Sequence, residues 1–320
     1  MSHLKTIFVI SGIILALIVY SKISISSETN ELTICENGFF RLDEMSDCHP
    51  LLNCKHVQNV TLLSHLGQGA VKDVFLAKWH FVYIALLKLR NNLFKEDFNH
   101  NLLMLKSLGK SRFIPTLVGY CEKKNIVLTQ YYPYGNALNF PFILQKLSSF
   151  DSNICFKFCV SFLKVINFLH NSPNGVRVMC DSNSLEKLLS QFLITSDLNL
   201  VANDLDALPV VRGDGIKCGH REIKGNFVAP EQLWPFPEKH FNDSEMPFYN
   251  EKVDIWKIPD VCNWFLSFCN TSEQLKKEIN IIHFKCKSRD AKLRPTASEV
   301  LRLYKKIAVT FKIDNFIVDD

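Results

Sequence analysis

The hydrophobic pattern of this chain changes period along its length, and those changes divide it. Ile7 to Tyr20 (IFVISGIILALIVY) is almost wholly apolar, Lys5 precedes it, and Ile23 to Ile25 prolong it past Lys22. A lysine can carry its charge out to an interface along its own stem, so residues 7–25 suffice for a membrane-spanning segment with residues 1–6 expected as a cytoplasmic tail. A cleaved signal peptide fits less well, because isoleucines alternate with serines from Ile23 to Ser27 where a small-x-small site is needed. The expectation is an uncleaved signal anchor, followed by a polar linker from Ser26 to Glu31.

Further on, Val60 to Leu63 reads as a strand, and Leu66 to Leu76 as strand, glycine turn, strand. His80 to Leu89, Phe113 to Tyr120 and Asn125 to Tyr132 are further strands, rich in Val, Ile, Tyr and Leu. Between them, Phe98, Leu102, Leu105 and Leu108 recur at helical spacing over Phe94 to Leu108. Pro133-Tyr134-Gly135 is a turn and a hinge. Helices then dominate, at Phe142 to Leu147, Cys155 to Leu169, Glu251 to about Phe268, Leu275 to Phe284 and Ala297 to Ile313. The second is apolar on nearly all sides, as the buried spine of a lobe would be. The predicted architecture is α+β, with a strand-rich lobe over 60–132 and a helical lobe over 136–320. No internal repeat or extended low-complexity segment interrupts it.

Composition changes this picture little, but the cysteines change it more. With 320 residues, 47% hydrophobic and 22% charged, the chain is globular and long enough for one two-lobed domain. A net charge of +5 suits anionic ligands. It is too weak to argue for nucleic acid, and no basic-aromatic interleaving is present. All eleven cysteines lie beyond the apolar N-terminal run, and Cys35, Cys48 and Cys54 crowd a short stem and cap within 26–59. In an oxidising compartment such a cluster staples a small cap. The odd total leaves at least one thiol free or bonded between chains. Cys218-Gly219-His220 and Cys155/Cys159 each lack two further ligands for zinc, and the latter pair reads as packing. Asn59-Val60-Thr61, Asn242-Asp243-Ser244 and Asn270-Thr271-Ser272 are sequons.

The candidate chemistry sits between Met179 and Asp206 (MCDSNSLEKLLSQFLITSDLNLVANDLD). Asp181 falls in a loop after a helical run, a short hairpin follows, and Asp204 lies just past a second apolar run. Phosphoryl transfer needs two carboxylates placed in this way, one to accept the hydroxyl proton and one to hold a metal ion on the nucleotide phosphates. Gly67 and Gly69 would let backbone approach a phosphate closely, although a plain hairpin explains them as well.

These pieces, in this order, resemble the protein-kinase fold from Val60 to Ile313. Gly67-Gln68-Gly69 resembles its nucleotide loop, Met179-Cys180-Asp181 stands where His-Arg-Asp is usual, and Asp204-Leu205-Asp206 where Asp-Phe-Gly is usual. Ala229-Pro230-Glu231 matches fully. Asp254-Ile255-Trp256 and Arg294-Pro295-Thr296 resemble later landmarks, with Arg294 expected to pair with Glu231. Three departures stand out. Alignment of Ile84-Ala85-Leu86 puts Leu87 at the place of the usual strand lysine, while Lys88 faces the other way. Lys72, after the loop glycines, is the expected substitute, as in a branch of kinases with Gly-x-Gly-x-x-Lys. The usual helix glutamate has no clear counterpart, since counting back from Leu105 reaches Asn101 and Glu96 lies a turn too early. The catalytic-loop asparagine is also displaced. Glu186 occupies its spacing, and a longer loop aligns Gln191 with that metal ligand. Asn183 replaces the usual loop lysine and is a candidate for orienting the hydroxyl.

Longer strings narrow the resemblance. Met-Cys-Asp-Ser-Asn, Asn-Asp-Leu-Asp-Ala-Leu-Pro, Lys-Cys-Gly-His-Arg-Glu and Phe-Val-Ala-Pro-Glu-Gln-Leu-Trp-Pro are similar to the protein O-mannose kinase family, as is the whole chain with its short anchor. That resemblance implies ATP and magnesium or manganese as cofactors, and a single-pass type II protein of the endoplasmic reticulum membrane, or the Golgi. It also implies a substrate, the 6-hydroxyl of mannose in a GalNAc-GlcNAc-mannose trisaccharide on α-dystroglycan. Carried onto these residues, it implies that Asp181, Lys72 and Asn183 do the catalysis, and that Asp204 and Gln191 hold the metal. Gly67, Gln68, Gly69, Ala70, Val71, Lys72 and Tyr131 would line the nucleotide. The rival reading is a catalytically inactive kinase-like protein that binds glycans or partners. Sugar contacts are expected from the loop Val211 to Phe227 and the insert Pro235 to Tyr249.

Overall fold

The computed structural model of the chain describes residues 35–148 and 150–313. The expected signal anchor at 7–25 lies outside the described residues. Two short strands, β1 (Phe39–Phe40) and β2 (His49–Pro50), pair antiparallel and are followed by a one-turn helix, α1 (Cys54–Val57). Then come β3 (Thr61–Gln68), β4 (Lys72–Trp79) and β5 (Val82–Leu89), a helix α2 (Lys95–Leu108), and β6 (Leu117–Cys121) with β7 (Ile126–Gln130). The five longer strands form one antiparallel sheet in the order β3-β4-β5-β7-β6.

Strand β5 shows why this sheet needs covers on both sides. Its side chains alternate, so Val82, Ile84 and Leu86 point to one face and Ala85 and Leu87 to the other. The first set packs with Phe40, Leu42, Leu52 and Val57 from the cap, which is therefore the lid of the outer face. The second set packs against Phe98, Leu102 and Leu105 of α2 and belongs to the main core. A disulfide, Cys54–Cys121, closes a separation of 67 residues and fastens the cap to β6. The cap that the sequence marked only by its cysteines thus has a hairpin and a packing role.

The helical lobe starts with α3 (Phe140–Leu147) and α4 (Ser152–His170). Asp151 caps α4 through the Asn153 N–H at 3.0 Å. Among the described residues α4 is the one helix long and apolar enough to cross a membrane, yet most of it is buried, as the expected spine. Next come α5 (Leu185–Ser190), the hairpin β8 (Phe192–Ile194) with β9 (Leu200–Ala202), and then α6 (Lys252–Leu266), α7 (Glu273–Cys286) and α8 (Ala297–Thr310). Helix α5 lies where the sequence suggested only loop, and its N-cap is Ser184, whose hydroxyl accepts from the Lys187 N–H at 3.2 Å.

Cys155 is bonded to Cys269, so it does more than pack. Cys159, Cys262 and Cys286 are buried free thiols. The three sequon asparagines are exposed. Arg294, 2% exposed, makes the expected pair with Glu231 through two bonds of 2.6 and 2.8 Å. Its Nε also donates to the Ser288 carbonyl at 2.8 Å, so the guanidinium is held on several sides.

Candidate active site

The end of β3 and the turn before β4 carry Gly67 to Val71. The Gly69 N–H donates to the Lys72 carbonyl at 2.9 Å, and the Arg90 guanidinium donates to the Gly69 carbonyl at 3.1 Å. Neither glycine is needed by the turn itself. A Cβ on Gly67 would meet nothing within 4 Å, and one on Gly69 would meet only the Lys72 oxygen at 3.9 Å. What the glycines provide is bare backbone beside open space, as a close-lying phosphate requires. Gln68 and Ala70 are exposed at the tip, and Val71 is partly buried.

Lys72 opens β4 opposite Leu89 of β5. Its ammonium is turned inward and buried, 2.7 Å from Asp204 Oδ1, 3.1 Å from Asp206 Oδ2 and 3.2 Å from Asn101 Oδ1. Leu87 is buried and Lys88 exposed, as strand alternation demands. Burial alone would push the Lys72 ammonium down, but Asp204 and Asp206 outweigh it and hold the pKa above that of an ordinary lysine. Asn101 lies on the inner face of α2, 1% exposed, and also accepts the Leu205 N–H at 3.3 Å. An amide therefore stands where a helix glutamate is usual, and the carboxylates come from Asp204 and Asp206 instead.

Asp204 follows β9, where the Asn203 N–H donates to the Gln191 carbonyl at 2.8 Å. Burial would raise its pKa, but Lys72 lies so close that the net shift is downward. The neighbouring Asp206 goes the other way. Burial, opposed by Lys72 and reinforced by Asp204, pushes it up to about 6. One ammonium cannot fully compensate two adjacent carboxylates.

Asp181 is placed from below. Asp254, buried in α6, accepts the Met179 N–H at 3.1 Å and lies 3.2 Å from His170 Nε2. Lys257, one turn along, donates to the Ser182 hydroxyl, which donates to the Met179 carbonyl. The Cys180 N–H donates to the Ala207 carbonyl at 3.1 Å, and a disulfide ties Cys180 to Cys218 in the loop beyond. Asp181 is thus flanked by a residue held by a disulfide and a residue held by a buried lysine. Its own carboxylate stays half-exposed and is met by Lys187 Nζ at 2.7 Å. That ammonium lies 3.9 Å from Asp204 Oδ2 and so links the two aspartates.

Gln191, 3% exposed, donates through Nε2 to the Asp181 carbonyl, which leaves its Oε1 buried with no partner among the described residues. An orphaned buried amide oxygen, on a residue bonded through its main chain to the residue before Asp204, is a hard oxygen donor of the kind a divalent cation takes. Asn183 and Tyr131 are partly buried, in the loop after Asp181 and in the connection after β7. Among the described residues neither side chain joins the hydrogen bonds that hold Lys72, Asp181, Asp204 and Gln191 together. Sequence reasoning missed Lys187, Lys257 and the Cys180–Cys218 bond. The one available signal was Ser184 as an N-cap, which makes Lys187 a first-turn residue of a helix.

A sheet with one inward helix, set against a helical lobe, with a buried lysine and paired aspartates between them, is consistent with a kinase-like fold. No family model matches the chain. It is 44% identical to protein O-mannose kinase of Homo sapiens over 89% of this chain and 83% of that protein. It is also 44% identical to the protein of that name from Macaca fascicularis (87% of this chain, 81% of that protein) and to that from Gallus gallus (87% and 80%). The chain belongs to the protein O-mannose kinase family, and it is a phosphotransferase.

Proposed function

We propose that this chain transfers the γ-phosphoryl group of ATP to the 6-hydroxyl of mannose in an O-linked GalNAc-GlcNAc-mannose trisaccharide on α-dystroglycan. It would do so as a single-pass type II protein whose catalytic domain faces the lumen of the endoplasmic reticulum or Golgi. The acceptor comes from the family resemblance. The chemistry rests on one observation, the Lys72 ammonium held between Asp204 and Asp206 at 2.7 and 3.1 Å behind a glycine turn.

In this reading the bare backbone of Gly67 to Val71 covers the nucleotide phosphates and Lys72 neutralises them. Tyr131 lies along the connection where the base would sit. Asp204 and the free Gln191 Oε1 would hold magnesium or manganese. When bound, that cation screens the phosphate charge and orients the transferred group. Asp181, aimed by Asp254 and Lys257, takes the proton of the sugar hydroxyl as the new oxygen–phosphorus bond forms. Asn183, beside it in the same loop, orients that hydroxyl.

The test is transfer of labelled phosphate from ATP to the defined trisaccharide, with a 6-deoxymannose trisaccharide and a serine-rich peptide as controls. Label on the first acceptor alone is the expected result. Label on the peptide, or on the 6-deoxy sugar, would overturn the proposed acceptor.

A further inference from the structure

Lys187 is left without a task by the scheme above, although it touches the group that must react. It is in the first turn of α5, and its Nζ rests 2.7 Å from Asp181 Oδ2 and 3.9 Å from Asp204 Oδ2. Among the described residues, Lys72 and Lys187 are the cations within 4 Å of these aspartates. Their settings differ. The Lys72 side chain is buried and its amine has three acceptors, whereas 44% of the Lys187 side chain is exposed. One ammonium is fixed and the other can be re-aimed.

The contact at Asp181 also has a chemical consequence. A hydroxyl approaching Asp181 would meet an oxygen already in use. A bound nucleoside triphosphate would bring several negative charges to the same cleft and compete for that ammonium.

We propose that Lys187 is an exchanging catalytic cation. It is parked on Asp181 while the cleft holds no triphosphate, and it passes to the terminal phosphoryl oxygens when one binds. It then steadies the charge on the group in flight and leaves the Asp181 carboxylate open to the acceptor hydroxyl. The inference rests on the phosphotransfer reading above. In the step itself, the acceptor O–H bond breaks and its proton goes to Asp181. The acceptor oxygen–phosphorus bond forms, and the bond to the bridging oxygen breaks, leaving its electron pair on the nucleoside diphosphate. Lys187 stays protonated throughout.

The test uses the full chain with Lys187→Met, and Lys187→Gln as a second variant should the first melt early. Calorimetry with magnesium compares a non-hydrolysable triphosphate analogue with ADP. Both variants should keep ADP affinity within about twofold and lose about tenfold for the triphosphate, because only the terminal group meets Lys187. In the transfer assay kcat should fall about 100-fold, with the KM for the sugar changed by less than about threefold. Lys187→Arg should recover part of both losses. Unchanged triphosphate preference and kcat in both variants would overturn the exchange while leaving the phosphotransfer reading intact. Failure of the unmodified chain to bind nucleotide or to transfer phosphate would sink that reading, and the exchange with it.

Discussion

Replacing Asn101 by leucine tests how Lys72 is held. The side chains are close in volume, and the site is buried in the inner face of α2, so the change removes an acceptor and little else. Asn101 Oδ1 now accepts from the Lys72 ammonium at 3.2 Å and from the Leu205 N–H at 3.3 Å. A bond to a charged donor contributes about 1.5–3 kcal/mol, and a buried N–H left unpaired costs about 1–3 kcal/mol. Against this, Asn101 Nδ2 has no partner among the described residues, so its removal returns about 1 kcal/mol. The net loss expected for Asn101→Leu is about 1.5–5 kcal/mol, or about 3–9 °C in melting temperature for a domain of this size. Thermal and urea melts would read it, and nucleotide affinity should fall in parallel, because Lys72 and the segment at Asp204 lose a shared support. A variant within about 1 kcal/mol of the unmodified chain, with unchanged nucleotide affinity, would refute the role given to this amide.

Three other perturbations reach different parts of the account. Arg294→Met should destabilise the chain by about 3–5 kcal/mol in urea melts, since it leaves Glu231 without the partner that meets both its oxygens. Cys180→Ser with Cys218→Ser removes a cross-link spanning 38 residues, worth about 4 kcal/mol in the chain-entropy model, and should lower transfer more than nucleotide binding because it loosens the segment beside Asp181. For pH, Asp206 has a folded pKa of about 6 against an ordinary 3.8, raised by burial with Asp204 adding to it. An acid shifted upward stabilises the fold fully below its unfolded pKa and loses that contribution as pH rises through the folded one. Asp206→Asn should therefore exceed the unmodified chain by about 1–3 kcal/mol in urea melts at pH 8 and match it at pH 3.5.

Much of the fold was legible because its signals are local. Alternation in β5 and helical spacing in α2 and α4 arise from side-chain burial within one element, and the observed bounds differ from the expected ones by a few residues. The hairpin after Asp181 was visible, but α5 was not, since six residues with one capping serine carry too short a period to separate from loop. At the site, Lys72 was expected from the resemblance to kinases with Gly-x-Gly-x-x-Lys, and strand alternation turned Lys88 away. The partner of Lys72 was not expected, because an asparagine in place of a glutamate has no pattern of its own until the sheet and α2 pack together. Lys187 and Lys257 escaped for the same reason. Each acts on a residue brought near by packing, Lys257 from 75 positions away. The disulfides could be counted in outline but not paired, and the one at Cys180 becomes meaningful only when the loop after Val211 lies against Asp181.

On the proposed function, one cleft holds a nucleotide through Lys72 and Asp204 and abstracts a proton through Asp181. The most direct test of this is to measure, in one set of samples, magnesium-dependent ATP binding and phosphate transfer to the trisaccharide for the unmodified chain, Asp181→Asn and Asp204→Asn. Asp181→Asn should bind ATP as the unmodified chain does and lose at least about 100-fold in transfer, while Asp204→Asn should lose the magnesium dependence of binding together with transfer. Full transfer by either variant would contradict the account.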